Sequence, residues 1–282
     1  MSAITGIDHV IVGVRALEEA RGRYERLGFT LTPRGSHIGW GTANYCIMFA
    51  RDYIELLGIV DASQFTNNLD KFLRVREGLM AAAFAASDAA AAAAELSQRG
   101  IAAEGPLALE RRLELADGTV LPRFELVRFP ESAAPGLAAF ICRHLTPELV
   151  RRPAWLGHAN GAERILSLTV VAERPAALTD AYERLFGQGA VTPTDRIITL
   201  RVGRHAILFL DPDELTVLHP KAGPLKGATP PYLAAMTLAV GSTARTAALL
   251  AERRVAFARE RDGAVVIPPE AACGLWLIFA EA

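Results

Sequence analysis

The sequence contains little cysteine, since Cys46, Cys142 and Cys273 are its only three. They lie far apart and show no C-x-x-C spacing, so they predict neither a zinc knuckle nor the disulfide framework of a small secreted domain. The sequence also begins without the basic segment and apolar stretch that mark a secretory signal. We therefore expect a protein of the cytoplasm, which is a reducing compartment.

An excess of charge of one sign and long apolar runs are also missing. Thirty Lys and Arg residues balance 31 Asp and Glu residues, and the formal net charge is −1. Because such a chain has no strong field, neither a nucleic acid nor a membrane surface is expected as a partner. The alanine-rich stretch near residue 90 lacks an apolar run of about 18 residues and therefore predicts a soluble helix. The expected partner is a small molecule, neutral or singly charged.

One order of elements recurs along the sequence, and its first copy is the clearest. A β-branched strand at 7–14 precedes an amphipathic helix at 16–27, and Gly28 provides the end of that helix. Glycines and an Arg-Asp turn then separate three further predicted strands, at 30–33, 44–49 and 53–57. The first copy is therefore a βαβββ unit.

The other copies are recognised by aligning helix ends and strand starts. Gly100 aligned with Gly28 gives a second strand at 79–85 and a second helix at 89–98. The third copy starts at Ile165, and its helix end at 182–185 repeats the Tyr-Glu-Arg-Leu of 24–27. The fourth starts at Leu233, with a helix to Arg254 and strands near Val255, Ala264 and Leu275. A period of roughly 70 to 80 residues is too long for a solenoid and indicates duplicated subdomains.

These four βαβββ units predict an α+β fold with two domains, at 1–150 and 160–282. The boundary falls near 146–162, where prolines and an Asn-Gly pair interrupt the strand pattern. Because four units can close their own cups within one chain, both a monomer and a homodimer are compatible with the sequence.

The first unit carries two polar side chains in otherwise apolar strands. His9 stands where the other copies have Ala81, Ser167 and Ala235, and Glu55 is the only charge in its strand. A buried imidazole needs a partner, and a curved sheet could bring these two side chains together. One interpretation is a divalent metal site with open positions, and the other is a His9–Glu55 hydrogen bond or ion pair inside a filled barrel.

Two other stretches suggest ligand contacts. The loop 35–44 places His37, Trp40 and Asn44 among three glycines, which is typical of a pocket wall and equally of a packed hairpin. In the strand 140–144 the facing is open. One facing offers Cys142 and His144 as a third metal ligand or acid/base group, and the other offers Arg143 as a clamp for an anionic substrate.

The strand IDHVIVGV at 7–14, the strand YIELLG at 53–58 and the βαβββ repeat resemble the vicinal oxygen chelate superfamily. The loop GSHIGWGTANYCI, Asp117-Gly118-Thr119 and HANGA at 158–162 resemble its glyoxalase-like subgroup. The resemblance implies two half-barrel domains of the glyoxalase/dihydroxybiphenyl-dioxygenase type. It also implies a metal in a cup, held by the first and fourth strands of two units. His9 and Glu55 match two of those places, and Ala81 departs from a third.

The implied metal set is His9, Glu55 and His144, with His144 replacing the missing ligand from the last strand of unit two. Such a set suits iron, manganese, nickel or zinc. The implied function is a lyase, isomerase or dioxygenase for a small oxygenated organic molecule, with Glu55 as the catalytic base. His37, Trp40, Asn44 and Arg143 are the predicted substrate-binding residues. The alternative function is a non-catalytic protein that sequesters a small molecule between aromatic side chains. The second cup, with Ser167 and Ala235 at the ligand places, is expected to be metal-free.

Overall fold

The computed structural model describes residues 2–282, and each of the four units has the predicted order of a strand, a helix and further strands, with three strands after the helix in units one, three and four and four in unit two. Unit one consists of β1 (Ile4–Gly13), α1 (Leu17–Arg26), β2 (Gly35–His37), β3 (Thr42–Met48) and β4 (Tyr53–Ile59). A short helix, α2 (Leu69–Val75), leads to unit two. That unit consists of β5 (Gly78–Ala86), α3 (Ala89–Gln98), β6 (Glu104–Leu115), β7 (Gly118–Val120), β8 (Arg123–Arg128) and β9 (Ala139–His144).

The second half repeats this order after a linker that contains α4 (Pro153–Leu156). Unit three has β10 (Ala162–Val171), α5 (Thr179–Phe186), β11 (Val191–Pro193), β12 (Ile197–Val202) and β13 (His205–Leu210). After α6 (Leu215–Leu218), unit four has β14 (Tyr232–Val240), α7 (Thr243–Glu252), β15 (Ala258–Arg259), β16 (Val265–Ile267) and β17 (Trp276–Glu281). The α+β class and the four-unit architecture predicted from the sequence are confirmed.

The helices form because one face of each is apolar. In α1, Leu17, Ala20 and Tyr24 are buried at helical spacing. Acidic residues occupy the first turn and basic residues the last, where they complement the helix dipole. Gly28 follows the helix with φ +91°, a conformation that favours glycine. The helices therefore cover one face of each sheet and leave the other face for a cup.

Both sheets have the same strand order, and only the first closes on itself. Its order is β2-β3-β4-β1-β5-β9-β8-β6-β7, and β2 also pairs with β6. Eight strands thus form a barrel, with β7 as a hairpin extension of β6. The second sheet has the order β11-β12-β13-β10-β14-β17-β16-β15, and within residues 2–282 no pairing joins its two edges. The closed cup is therefore in the first half.

The two halves share irregularities as well as strand order. In the β1–β5 pairing the register shifts between Ile4 and Gly6, between Ile7 and His9, and between Ile11 and Val12. The β10–β14 pairing shifts at the matching residues, between Ala162 and Arg164, between Ile165 and Ser167, and between Thr169 and Val170. Bulges re-aim side chains, so their recurrence supports duplication of a whole half.

The predicted strand at 30–33 is displaced. Residues 30–33 are irregular, although Thr32 N–H donates to the Cys46 carbonyl at 2.8 Å. The strand lies instead at Gly35–His37, where it pairs with β6 of unit two. This pairing joins distant parts of the chain, so the local sequence did not show it.

A buried carboxylate connects the two halves. Asp52 is fully buried, and its side chain accepts hydrogen bonds from Ile165 N–H at 3.1 Å, from Arg204 and from His205 Nε2 at 3.0 Å. His205 Nδ1 in turn accepts from Ile7 N–H at 3.0 Å. The turn between β3 and β4 is thereby tied to β1 and β10, the first strands of the two halves.

No helix within residues 2–282 is long and apolar enough to cross a membrane.

His158 fastens the linker to unit one through both ring nitrogens. Its Nδ1 accepts from Thr30 N–H and its Nε2 donates to the Met48 carbonyl, both at 3.1 Å. This pattern requires the neutral ring, and burial lowers the pKa of His158 to about 4. Burial likewise lowers the pKa of His219, beside Thr169, to about 4.

We expect stability to fall as the pH is lowered from about 6.5 to about 4. In that window each of these histidines takes up a proton in the unfolded chain and not in the folded one, at up to about 1.4 kcal/mol per pH unit. Urea unfolding at intervals from pH 7.5 to 4 measures the slope, and a His158→Gln variant should show a shallower one. An unchanged slope in the variant would contradict the role assigned to His158.

Candidate functional site

The barrel of the first half encloses a cavity of about 580 Å³. Most of its wall is apolar and comes from strands of both units and from α2, including Ile11, Leu57, Phe72, Met80, Leu109, Phe124 and Phe140. Exposed charged side chains, Lys71, Arg128 and Glu131, line part of the wall, and its shielded polar side chains include His9, His37, Glu55 and Arg111. These four side chains are concentrated in a largely hydrocarbon pocket, which is the usual composition of a small-molecule site.

The structure brings His9 and Glu55 together on neighbouring parallel strands. Ile11 lies directly opposite Glu55 in the β1–β4 register, and strand alternation puts His9, two residues earlier, on the same face. His9 Nε2 is 3.7 Å from Glu55 Oε2, and both side chains are almost fully buried. That distance is too long for a hydrogen bond. A His9–Glu55 hydrogen bond is therefore not formed, although the separation is within the range of an ion pair.

Asp8 holds the other nitrogen of His9. The bulge at Asp8 turns its carboxylate to the same side as its neighbour, and Oδ2 lies 2.7 Å from His9 Nδ1. His144 Nε2 contacts the same oxygen at 3.1 Å, and Arg151 contacts Oδ1 at 3.4 Å. Burial acts to raise the pKa of Asp8, but the charges and hydrogen bonds of His144 and His9 hold it far below its usual range. The carboxylate is therefore ionised and fixes the His9 ring with Nε2 toward Glu55.

Asn44 and His37 lie at the second oxygen of Glu55. Asn44 Nδ2 donates to Oε1 at 2.5 Å, and His37 Nε2 is 3.9 Å from the same atom. His37 Nδ1 is 3.0 Å from the Thr42 hydroxyl, and burial lowers the pKa of His37, so the ring is neutral. The tight packing around Asn44 depends on Gly35, where a Cβ would lie 2.3 Å from Asn44 Oδ1.

Arg111 reaches the site from β6, opposite His37 in the β2–β6 register. Its Nη1 donates to Asn44 Oδ1 at 3.2 Å and to Cys46 Sγ at 3.1 Å. The side chain is buried, and it lines the cavity. Asn44 therefore links a buried cation to the carboxylate of Glu55.

The remaining predicted site residues have different surroundings. Trp40 lines the cavity and stacks on His37, with ring centroids 4.9 Å apart. Asn44 is fully buried behind Glu55 and is not part of the cavity wall. His144 also lies outside the wall, held by Asp8. Arg143 points away from the cavity and pairs with Glu125 at 3.0 Å and Asp88 at 3.6 Å.

Cys142 settles the facing of the last strand of unit two. It lines the cavity, so its neighbour Arg143 faces the other side of β9. The ligand atoms of Asp8, His9 and Cys142 lie within 4.8 Å of one another. Burial raises the pKa of the Cys142 thiol well above its usual value, which keeps it protonated.

Unit two contributes no matching pair of metal ligands. Ile11 opposes Glu55 in unit one, and Ala83 opposes Phe140 in unit two. The alignment of Gly28 with Gly100 matches Ile11 with Ala83, so Phe140 occupies the place of Glu55. The Phe140 ring meets the His9 ring edge-on, with centroids 5.6 Å apart. Tyr53 stacks on the same His9 ring, with centroids 4.5 Å apart. The shielded imidazole and carboxylate side chains of the cup therefore come from unit one, and Arg111 comes from unit two.

Sequence reasoning missed Asp8 and Arg111. Regular strand alternation puts Asp8 on the helix side, and only the bulge reverses it. Arg111 stands in Glu-Arg-Arg at 110–112, which is typical of a solvated edge strand. A signal for Asp8 was present, because a charged residue beside His9 in an apolar strand needs a buried partner.

Comparison with known proteins gives one family and a shared fold. Residues 7–186 match the family described as "Glyoxalase-like domain". No curated protein sequence matches the chain significantly. A crystal structure of a hypothetical protein from Staphylococcus aureus has a TM-score of 0.70 at 13% identity, with 98% of this chain and 99% of that one covered.

Two further structures have the same fold at low identity. A mutant of 4-hydroxymandelate synthase from Streptomyces coelicolor has a TM-score of 0.58 at 13% identity, covering 98% of this chain and 92% of that one. A xylose isomerase-like TIM barrel/4-hydroxyphenylpyruvate dioxygenase fusion protein has a TM-score of 0.57 at 16% identity, and the match spans all of this chain and 49% of the fusion.

Proposed function

The chain belongs to the glyoxalase-like domain family of the vicinal oxygen chelate superfamily, and from that premise we propose that it is a metal-dependent enzyme. Its substrate is a small oxygenated organic molecule held in the cavity of the first half. The reaction is a lyase, isomerase or dioxygenase reaction. Two proteins with this fold are a 4-hydroxymandelate synthase and a fusion protein with a 4-hydroxyphenylpyruvate dioxygenase part, which agrees with chemistry of this kind.

The observation that carries the proposal is the open gap between His9 Nε2 and Glu55 Oε2. Asp8 accepts a hydrogen bond from His9 Nδ1–H, which leaves a lone pair on Nε2 facing the carboxylate of Glu55. A histidine that binds a metal characteristically donates its other nitrogen to a carboxylate in this way. His9 and Glu55 both face the cavity, and they are not hydrogen bonded to each other.

The spacing of His9 Nε2 and Glu55 Oε2 is close to what one divalent ion requires. Bonds of about 2.0–2.2 Å to nitrogen and oxygen separate two tetrahedral ligands by about 3.4 Å. His9 Nε2 and His37 Nε2 lie 3.7 and 3.9 Å from the two oxygens of Glu55. We assign His9 and Glu55 as ligands and His37 as the third, a two-histidine, one-carboxylate set that suits iron, manganese, nickel or zinc. His144, the third ligand expected from the sequence, is better placed to hold Asp8.

The bound ion supplies a Lewis acid for adjacent substrate oxygens. The residues of the chain do the rest. Asn44 donates to Oε1 of Glu55 and so holds Oε2 toward His9 Nε2. The apolar wall excludes water, and Trp40 with Phe124 gives the substrate flat surfaces to pack against.

Metal analysis of protein purified without chelators tests the proposal. We expect one equivalent of a first-row divalent ion in the wild type and almost none in a His9→Ala variant. A His219→Gln variant, which changes a histidine of the second half beside Thr169, should keep its metal. Folded wild-type protein without metal, even after incubation with each of the four ions, would contradict the assignment. That result would favour the non-catalytic binding protein, for which the same apolar wall is suited.

A further inference from the structure

Arg111 is a buried cation without a carboxylate partner. Only 3% of its surface is exposed, and within residues 2–282 no Asp or Glu oxygen lies within 4.0 Å of its guanidinium. The nearest acid in the network, Glu55, is reached through Asn44. Burying an unpaired charge is costly, so such a residue is kept where something else compensates the charge.

One edge of the guanidinium is entirely unused. Nη1 donates to Asn44 and Cys46, whereas Nε and Nη2 have no hydrogen-bond partner among residues 2–282. These two nitrogens form the side of the guanidinium that binds both oxygens of a carboxylate in parallel. They are shielded from solvent, so a ligand reaches them when a neighbouring side chain of the wall moves, as is common on binding.

We propose that Arg111 is the anion anchor of the cavity and that the ligand is a small organic carboxylate with an apolar body. The ligand's carboxylate accepts two hydrogen bonds, from Nε and Nη2, and neutralises the buried charge. This role of Arg111 names the substrate class of the proposed function. It rests on that function only in taking this cavity as the substrate-binding site.

The wall favours a carboxylate over a phosphate ester. A single guanidinium edge offers two donors and one positive charge, which match a monoanion. Glu55 in the same cavity repels a phosphate dianion more strongly than a monoanion. The rest of the ligand meets Leu109, Phe124, Leu126 and Phe129, which favour a compact hydrocarbon or aromatic body.

The test compares benzoate with benzamide, which has nearly the same shape and no charge. Binding to the full-length protein is measured by calorimetry, with and without a chelator. We expect wild type to bind benzoate at least about tenfold more tightly than benzamide, since a charge-assisted hydrogen bond is worth about 1.5–3 kcal/mol. In Arg111→Met this preference should vanish, and Arg111→Lys, which keeps the charge and loses the fork, should give an intermediate value.

Arg128→Met is the matched control, because Arg128 also lines the cavity but is exposed. It should keep the preference for benzoate. Equal binding of the two probes to wild type, an unchanged preference in Arg111→Met, or tighter binding of phenyl phosphate than of benzoate would each overturn the assignment. Circular dichroism checks folding, and if Arg111→Met does not fold, the Arg111→Lys result decides.

The two proposals fail separately. Arg111-dependent benzoate binding that persists in protein without metal supports the anchor even where the metal assignment fails. Stoichiometric metal at His9 with no preference for benzoate supports the metal site and refutes the anchor.

Discussion

Replacing Asp52 with alanine is expected to lower the free energy of unfolding by about 3–5 kcal/mol. The carboxylate is fully buried and serves three donors, from Ile165, Arg204 and His205. Without it, the buried His205 ring and the Ile165 N–H lose their acceptor inside the protein. Because these donors belong to the second half and Asp52 to the first, the loss also weakens the contact between the halves. Urea unfolding followed by circular dichroism at pH 7.5 measures the effect.

Asp211→Ala is the control for this prediction. Asp211 pairs with Arg196 at 2.8 Å, but Arg196 is 47% exposed and has Asp213 and Glu214 as other partners. An exposed pair of this kind contributes about 0–1 kcal/mol, and Asp211 also accepts from Asp213 N–H as a helix cap, so the variant should lose about 1 kcal/mol, well below the loss in Asp52→Ala. A loss of similar size in both variants would show that the burial of Asp52 is not what makes it important.

Much of the fold could be predicted because the spacing of apolar residues along the sequence indicates each strand and helix. The helix at 89–98 was predicted with the bounds that the structure has, although alanine carries little information about register. The order of four units could be predicted because each unit begins with an apolar strand followed by a helix. Closure of the barrel was not visible, since the pairing of β2 with β6 joins segments from different units.

The candidate site was predictable in part for the same reason. Strand periodicity indicated that His9 and Glu55 could share a face, and the structure brings them to 3.7 Å. The position of His37, the third residue of the proposed metal site, could not be predicted from strand periodicity. His37 follows the irregular segment 30–33, so its position depends on the β2–β6 pairing. Arg111 becomes buried through that same pairing, which local sequence does not encode.

The asymmetry between the halves gives the site its location. The first half closes its sheet with the long strand β6, whereas the equivalent β15 has only two residues and leaves the second sheet open. Within the first cup, Phe140 replaces the carboxylate that Glu55 supplies in unit one. Duplication thus produced four similar units, and one closed cup holds the polar side chains of a binding site.

The roles of the residues around His9 predict a graded loss of metal affinity. Replacing Asp8 with asparagine should weaken binding about 10–100-fold, because the His9 ring loses the carboxylate that fixes its orientation. His144→Gln should cost less than that, since it leaves the Asp8–His9 contact in place and removes only a second partner of Asp8. His9→Ala should abolish binding. Competition with a chromophoric chelator, using zinc, measures all three.

His144 decides between two arrangements of the metal. Were it a direct ligand, as the resemblance implied, its replacement would cost as much as that of His9. Were it a residue that holds Asp8, its variant would stay nearer to wild type than Asp8→Asn does. The geometry favours the second arrangement, in which His144 holds Asp8. His144 Nε2 contacts Asp8 Oδ2 at 3.1 Å, whereas His37 Nε2 faces Glu55. A loss in His144→Gln equal to that in His9→Ala would restore His144 to the metal set and leave His37 for the substrate.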